Sequence, residues 1–503
     1  MQIDKFYKDS FVLTLSNMVT GIIAFVFSII LSRELGAEGL GLYGLIMPVY
    51  GLLLCLTSDG LITAISKIST VYFNQRNLRN LNKTLSTVFV FVILWASSVA
   101  VLVLLCSRGI AAHLVRDQRA AVALMVLSPA IVFVPLSAVI KGYFYGLGKY
   151  KVTAAIDIVE KLLRVIILLS TISVLMLKSV ETTVAASYFA LAAGELVSLV
   201  MLFTCYKIQK RKLTGSRGKA KSRIQLLFDV FVIAAPLCLN GILSSILSAI
   251  STLLLPRRLV SAGFTYNEAL ALIGKFGGMA LNISYLPFII IGSMLTVLVP
   301  ELSLSMSRKD YWSAEERIAQ VLKLACAVGV STAAVCLTIP DILGQLFYQR
   351  KDLGDMIRVS AAICLVSYVS APTFGILNAL GKQNILLKNS LLISVESLIL
   401  IYALAGIPQL NIYGYGLSMV LTSITALIIN LMEIKKICEV KIDLHDIVTF
   451  LLIGAVAYLA CRITGRLLYQ TAPAIITAAV MATGFGTVLG LSRIAFKYAK
   501  AGY

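Results

Sequence analysis

The chain alternates long apolar runs with short polar breaks, and the runs are far longer than the core face of a soluble helix requires. Phe11 to Ser32 and Leu85 to Cys106 each pass 22 positions without a charged side chain. At about 1.5 Å per residue, such a run crosses the roughly 30 Å hydrocarbon core of a bilayer. Inside lipid the backbone must satisfy its own hydrogen bonds, and runs of this length do so as helices. Windows of about 20 residues predict helices over 10–32, 42–66, 84–107, 120–140, 152–177, 182–206, 227–255, 270–300, 318–340, 356–381, 385–406, 411–432, 447–465 and 472–492. The expected fold class is an all-α polytopic membrane protein with about fourteen transmembrane helices.

Composition agrees with the pattern. Hydrophobic residues make up 59% of the chain and charged residues 14%, against roughly 25% charged in soluble domains, so most of the exterior must face lipid. The first apolar run is long for a signal core and has no small-residue cleavage site after it, so it is expected to stay as the first membrane helix. Nine cysteines are scattered through the chain without a C-x-x-C pair, and read as small core residues. The two histidines, His113 and His445, fall outside the predicted helices. Metal or histidine chemistry therefore has almost nothing to work with, and neither a metal nor a cofactor is expected.

Charge adds orientation. The net charge is +20, but the basic residues are spread over short loops with no basic folded domain behind them, which argues against nucleic acid as a partner. With the N-terminus inside, 28 of the 44 Lys and Arg residues fall on the cytoplasmic side and 11 outside. The positive-inside rule thus predicts that both termini are cytoplasmic. The densest cluster, KIQKRKLTGSRGKAKSR (Lys207–Arg223), carries eight basic residues and no acid. It reads as a flexible linker attracted to anionic lipid, and it divides six helices from eight.

The two sides of that linker echo each other. GYFYGLGKYK (Gly142–Lys151) returns 233 residues later as GILNALGKQN (Gly375–Asn384), each after an apolar run containing proline. LSREL (Leu31–Leu35) matches LPRRL (Leu255–Leu259), and ISKIS (Ile65–Ser69) aligns with VPELS (Val299–Ser303). These echoes predict a duplication: a six-helix lobe over 1–208, the linker over 209–224, a second six-helix lobe over 225–437, and two further helices with a tail over 438–503. Parallel repeats of this kind place substrate between the bundles and rock to alternate access. The small residues four apart (Gly142 and Gly146, Gly375 and Ala379) allow close helix contact, which by itself requires only packing.

Several stretches resemble the polysaccharide-exporter branch of the multidrug/oligosaccharidyl-lipid/polysaccharide exporter superfamily, in its stage V sporulation protein B-like group. They are SRELGAEGLGLY (Ser32–Tyr43), GLITAISK (Gly60–Lys67), Pro129–Lys149 with its GYFYGLGK ending, and LPFIIIGSMLTVLVPELS (Leu286–Ser303). Their order and spacing carry the resemblance, which runs over most of the chain. It implies a fold of two six-helix lobes around a central cavity, like that of the multidrug exporters, in a bacterial cytoplasmic membrane. It also implies a flippase for a lipid-linked saccharide, such as a polyprenyl-pyrophosphate precursor of peptidoglycan or of another polysaccharide, with a place in spore-cortex or cell-wall synthesis. The substrate and the phospholipid bilayer are the partners implied; the sequence names no protein partner.

Such a cavity needs cations for phosphate and hydrogen bonds for sugar. AAIDIVEKLLR in the fifth predicted helix is the richest constellation: Asp157 and Lys161, and Glu160 and Arg164, are each four apart on one broad face. Arg164 lies roughly 18 Å along the helix from Val152, near mid-membrane, and is the candidate phosphate ligand. The same residues would equally serve as self-neutralised pairs packed between helices. The matching helix of the second copy offers Ser390, Ser394, Glu396 and Ser397. Lys275, in the Gly-rich IGKFGG, faces either the cavity or the outer interface. Arg33, Arg257 and Arg258 occupy equivalent helix ends, where interfacial anchoring competes with substrate contact. Asp59 and Glu195 are candidates for a coupling ion, with local hydrogen bonding as the alternative for Asp59.

Two departures from the family limit what carries over. The first helix has neither the acidic residue of the cation-coupled multidrug exporters nor the arginines of the lipid II flippases, so neither mechanism transfers by position. A glycosyltransferase would need a large outer domain or an acidic metal-binding loop; the outer loops are short and contain no D-x-D. GYFYGLGKYK lacks P-loop spacing. No enzymatic activity is expected. The second reading is a cation-coupled multidrug or small-molecule antiporter.

Overall fold

The computed structural model describes residues 2–176, 179–212, 221–438, 444–468 and 472–501. Its regular structure is wholly helical. In order the helices are α1 (Gln2–Ser58), α2 (Leu61–Asn74), α3 (Leu78–Gly109), α4 (Ala120–Leu127), α5 (Ala130–Gly146), α6 (Tyr150–Leu175), α7 (Val180–Lys212) and α8 (Arg223–Ser261). There follow α9 (Tyr266–Ile273), α10 (Leu281–Tyr285), α11 (Phe288–Ser307), α12 (Tyr311–Thr338), α13 (Pro340–Tyr348), α14 (Gly354–Ala379), α15 (Gln383–Leu404), α16 (Asn411–Lys435), α17 (Leu444–Leu467) and α18 (Pro473–Ala501). Two π-helical segments, Ile110–Val115 and Gly274–Ala280, extend α3 and join α9 to α10.

Among the described residues eleven helical stretches are long and apolar enough to cross a membrane, and twelve if Tyr266–Tyr285 and Phe288–Leu295, bent by 64°, form one broken span. The first stretch, Thr14–Asn74, has 61 residues, length for two crossings. Helix α6 has the length but carries Asp157, Glu160, Lys161 and Arg164 in its interior. Counting both brings the total to about the fourteen expected, in a multi-pass membrane protein.

The boundaries differ from those that hydropathy predicts. The polar stretch Ser32–Tyr43 is helical on both sides of a single break at Gly36, where φ is 67°. The expected second helix, 42–66, is instead cut at Asp59–Gly60, with Gly60 at φ 77°. A left-handed backbone of this kind favours glycine, and at Gly60 a Cβ would also lie 2.7 Å from the carbonyl oxygen of Ala234. A hydropathy window averages over one such residue and cannot register it. His113 lies in the first π-helix and His445 at the start of α17, so both sit in helical segments rather than in loops. The centre of the basic linker, 213–220, falls outside the described residues.

The chain forms two compact units, Met1–Leu253 and Leu254–Tyr503, dividing inside α8 rather than in the linker. In the first unit α2 packs on α5, α5 on α7, and α6 on both α1 and α7. The α2–α5 contact is close because α5 presents glycine: a Cβ at Gly146 would lie 2.5 Å from Ser69 Cβ, and one at Gly142 would lie 2.9 Å from Ile65 Cβ. In the second unit α14 packs on α11, α12 and α16, and α17 and α18 pack on α12. Here Gly375 of α14 meets Leu295 of α11, where a Cβ would be at 3.1 Å. The echoed segments of the sequence therefore play the same packing part in each unit. A buried side-chain ladder ties three helices of the second unit: Asn389 Nδ2 donates to Asn430 Oδ1 at 2.9 Å, and Asn430 Nδ2 donates to Thr373 Oγ1 at 2.8 Å.

Candidate functional site: an ionic network across α5, α6 and α7

The charged residues in the interior of α6 pair with one another and with neighbouring helices. Arg164 Nη2 donates to Glu160 Oε1 at 2.5 Å, one turn earlier, and to Glu195 Oε1 of α7 at 3.1 Å. Lys161 Nζ reaches the other oxygen of Glu160 at 3.1 Å. Asp157 pairs with Lys141 of α5 at 2.7 Å rather than with Lys161. Three carboxylates and three cations thus form a balanced group. Glu160 is 3% exposed, and the Arg164 side chain 12%. Charges this deep are tolerated only when paired, because an isolated charge in a medium of low dielectric costs several kcal/mol.

The helix neighbours make room for the group. Gly194 of α7 brings a bare Cα against α6; a Cβ there would lie 3.1 Å from Glu160 Oε1 and 3.7 Å from Arg164 Nε. Arg164 Nε is buried and makes no hydrogen bond among the described residues. The network therefore keeps a buried guanidinium N–H without an acceptor among the described residues, close against the bare Cα of Gly194. Chemically, this is a cation whose carboxylate partners an incoming oxyanion can partly replace.

The other candidates are dispersed. Lys275 lies in the second π-helix and pairs with Asp352 at 2.7 Å. Asp352 also takes a bidentate pair of hydrogen bonds from Arg350, both at 2.8 Å. The Arg350 guanidinium, with Lys275 beside it, holds the Asp352 carboxyl well below the usual carboxylate range. Arg33 and Arg257 are exposed. Arg258 is half-buried, its guanidinium 4.2 Å from the Tyr402 ring centroid, an anchoring contact. Asp59 stands in the α1–α2 break against the bare Cα of Gly241 in α8. Glu396, the counterpart region's acid, accepts from Thr425 at 2.8 Å. No group of three or more His, Cys, Asp or Glu is placed to hold a metal among the described residues.

Two members escaped the sequence reading. Lys141 belongs to the stretch just before the echoed GYFYG and looked like part of a helix end; its isolation as the one cation in α5 was the available signal. Gly194 gave none, since one glycine in an Ala-rich helix reads as packing.

A family model described as polysaccharide biosynthesis protein matches residues 6–306. Stage V sporulation protein B of Bacillus subtilis (strain 168) is 25% identical over 447 residues, which cover 88% of this chain and 86% of that protein. Among solved structures, the inward closed conformation of the lipid II flippase MurJ superposes with a TM-score of 0.70 at 14% identity, covering 98% of this chain and 99% of that one. An inward-facing multidrug resistance MATE family transporter of the MOP superfamily gives 0.65 at 16% identity, covering 83% and 95%. At these identities the structural likeness concerns the fold.

Proposed function

Because the chain belongs to the polysaccharide biosynthesis protein family, within the multidrug/oligosaccharidyl-lipid/polysaccharide exporter superfamily, we propose that it is a flippase for a lipid-linked saccharide carrying a polyprenyl pyrophosphate. Both termini are placed in the cytoplasm on the charge balance of the loops, and the chain acts as a transporter rather than an enzyme. The names of its relatives, among them a lipid II flippase of similar fold, support the substrate class. The observation that carries the reading is the buried Arg164, held by two carboxylates yet with its Nε–H unclaimed. A pyrophosphate oxygen competes for this guanidinium better than a neutral drug does, because bidentate recognition of phosphate is the guanidinium's strength.

The test is translocation of a labelled polyprenyl-pyrophosphate saccharide between leaflets of vesicles holding the full chain. Arg164→Ala alone confounds folding with binding, since it strands Glu195 and leaves Glu160 with Lys161 alone. The informative variant neutralises all three: Arg164→Met with Glu160→Gln and Glu195→Gln. Loss of translocation in this folded variant supports the assignment; unchanged translocation removes the network from the route. Drug efflux without movement of the lipid would favour antiport.

A further inference from the structure

A second charged site lies in the second unit, remote in sequence from the α5–α7 network. A cavity of about 850 Å³ opens where α12 ends, α13 and α14 begin and α17 ends. Its wall includes Lys351, Arg358, Arg462 and Arg466, and a single acid, Asp341. Arg358 is the one cation of the four with carboxylate partners, Asp355 at 2.5 Å and Asp341 at 3.5 Å. Among the described residues no carboxylate lies within ion-pairing distance of Lys351, Arg462 or Arg466.

That arrangement is unfavourable as it stands. Arg462 and Arg466 are one turn apart on α17, a like-charge spacing that costs helix stability. The last-turn Arg466 is compensated by the helix dipole, but Arg462 lies a turn deeper. The charge balance of the loops would make this the outer face, where basic residues are few. An anion in the cavity removes the repulsion.

The kind of anion follows from what stands beside the arginines. On the same helix Leu459, Ile463 and Leu467, spaced four apart, are exposed at 56%, 60% and 79%. In a membrane-spanning helix this stripe faces acyl chains, so the cavity places cations at the head-group level next to a surface for tails. A soluble anion would gain nothing from the stripe. We propose that this cavity is a binding site for an anionic phospholipid, with Arg462, Arg466 and Lys351 holding its phosphate and the α17 stripe packing its chains.

The probe is dioctanoyl phosphatidylglycerol, titrated into the full chain in uncharged detergent, with dioctanoyl phosphatidylcholine and glycerol phosphate as controls. Wild type is expected to bind the anionic lipid at least about tenfold tighter than the zwitterionic one. In Arg462→Gln/Arg466→Gln this preference should fall below about threefold, and in Lys351→Gln to an intermediate value. All three arms are exposed side chains, so lipid-free melting should stay within about 2 °C of wild type. A preference that survives in the double variant overturns the site. Glycerol phosphate competing as well as the lipid overturns the phospholipid as its ligand in favour of a soluble anion.

Discussion

Gly194 of α7 faces the carboxylate of Glu160 so closely that a Cβ would lie 3.1 Å from Oε1. Glu160 cannot yield, because Arg164 holds one of its oxygens and Lys161 the other. Gly194→Leu is therefore expected to destabilise by about 1–3 kcal/mol through overpacking, whereas Gly194→Ala should be milder because better helix propensity offsets the crowding. Thermal unfolding in detergent would show the order; equal effects would mean that the glycine has no spacing role.

The α2–α5 contact makes a sharper case. At Gly146 the obstacles are Ser69 Cβ at 2.5 Å and the backbone oxygen of Ser66 at 2.7 Å, and backbone cannot rotate away. Even Gly146→Ala should cost about 1–3 kcal/mol, against the usual gain for alanine in a helix. A stability equal to or above wild type would show that the two helices separate freely.

Removing Arg164 leaves the largely buried Glu195 without its ion-pair partner and Glu160 with Lys161 alone, so Arg164→Met should lose about 3–5 kcal/mol. Adding Glu160→Gln and Glu195→Gln to it should recover most of that loss, since neither of these carboxylates remains and the Lys161 left without Glu160 is one-third exposed. If the triple variant is no more stable than the single one, the three groups do not compensate one another.

Asp352 supplies a pH signature. Its folded pKa is depressed by Arg350 and Lys275, so the stabilisation is complete above the unfolded value of about 3.9 and is lost as pH falls through the folded one. Asp352→Asn should lower stability at pH 7 by less than about 1 kcal/mol, because this half-exposed carboxylate is screened by solvent. The difference from wild type should begin to close below about pH 4. A difference that ignores acid would assign the effect to packing.

What the sequence revealed, and what it did not, divides by the range of the interaction. Apolar run length reports burial in lipid directly, so the long helices from α3 onward are legible to within several residues, whereas the short α13 is missed and the breaks inside 120–140 and 270–300 are not seen. The breaks at Gly36 and Gly60 are not legible either, because these residues act through φ and the composition around them is unremarkable. The Glu160–Arg164 pair was legible as a helical spacing. Its third member, Glu195, sits 31 residues further on in another helix, and Asp157 pairs with Lys141 of α5 while Lys161 goes to Glu160. The π-helical setting of Lys275 likewise needed the backbone.

The amide ladder Asn389–Asn430–Thr373 has a consequence of its own. It clamps α14, α15 and α16 with neutral groups that have no proton to lose near neutrality and no counter-ion to trade, whereas the clamp on α5, α6 and α7 is made of exchangeable charges. The helices α5, α6 and α7 are thus tied by groups that can exchange partners or protons, and α14, α15 and α16 by groups that cannot.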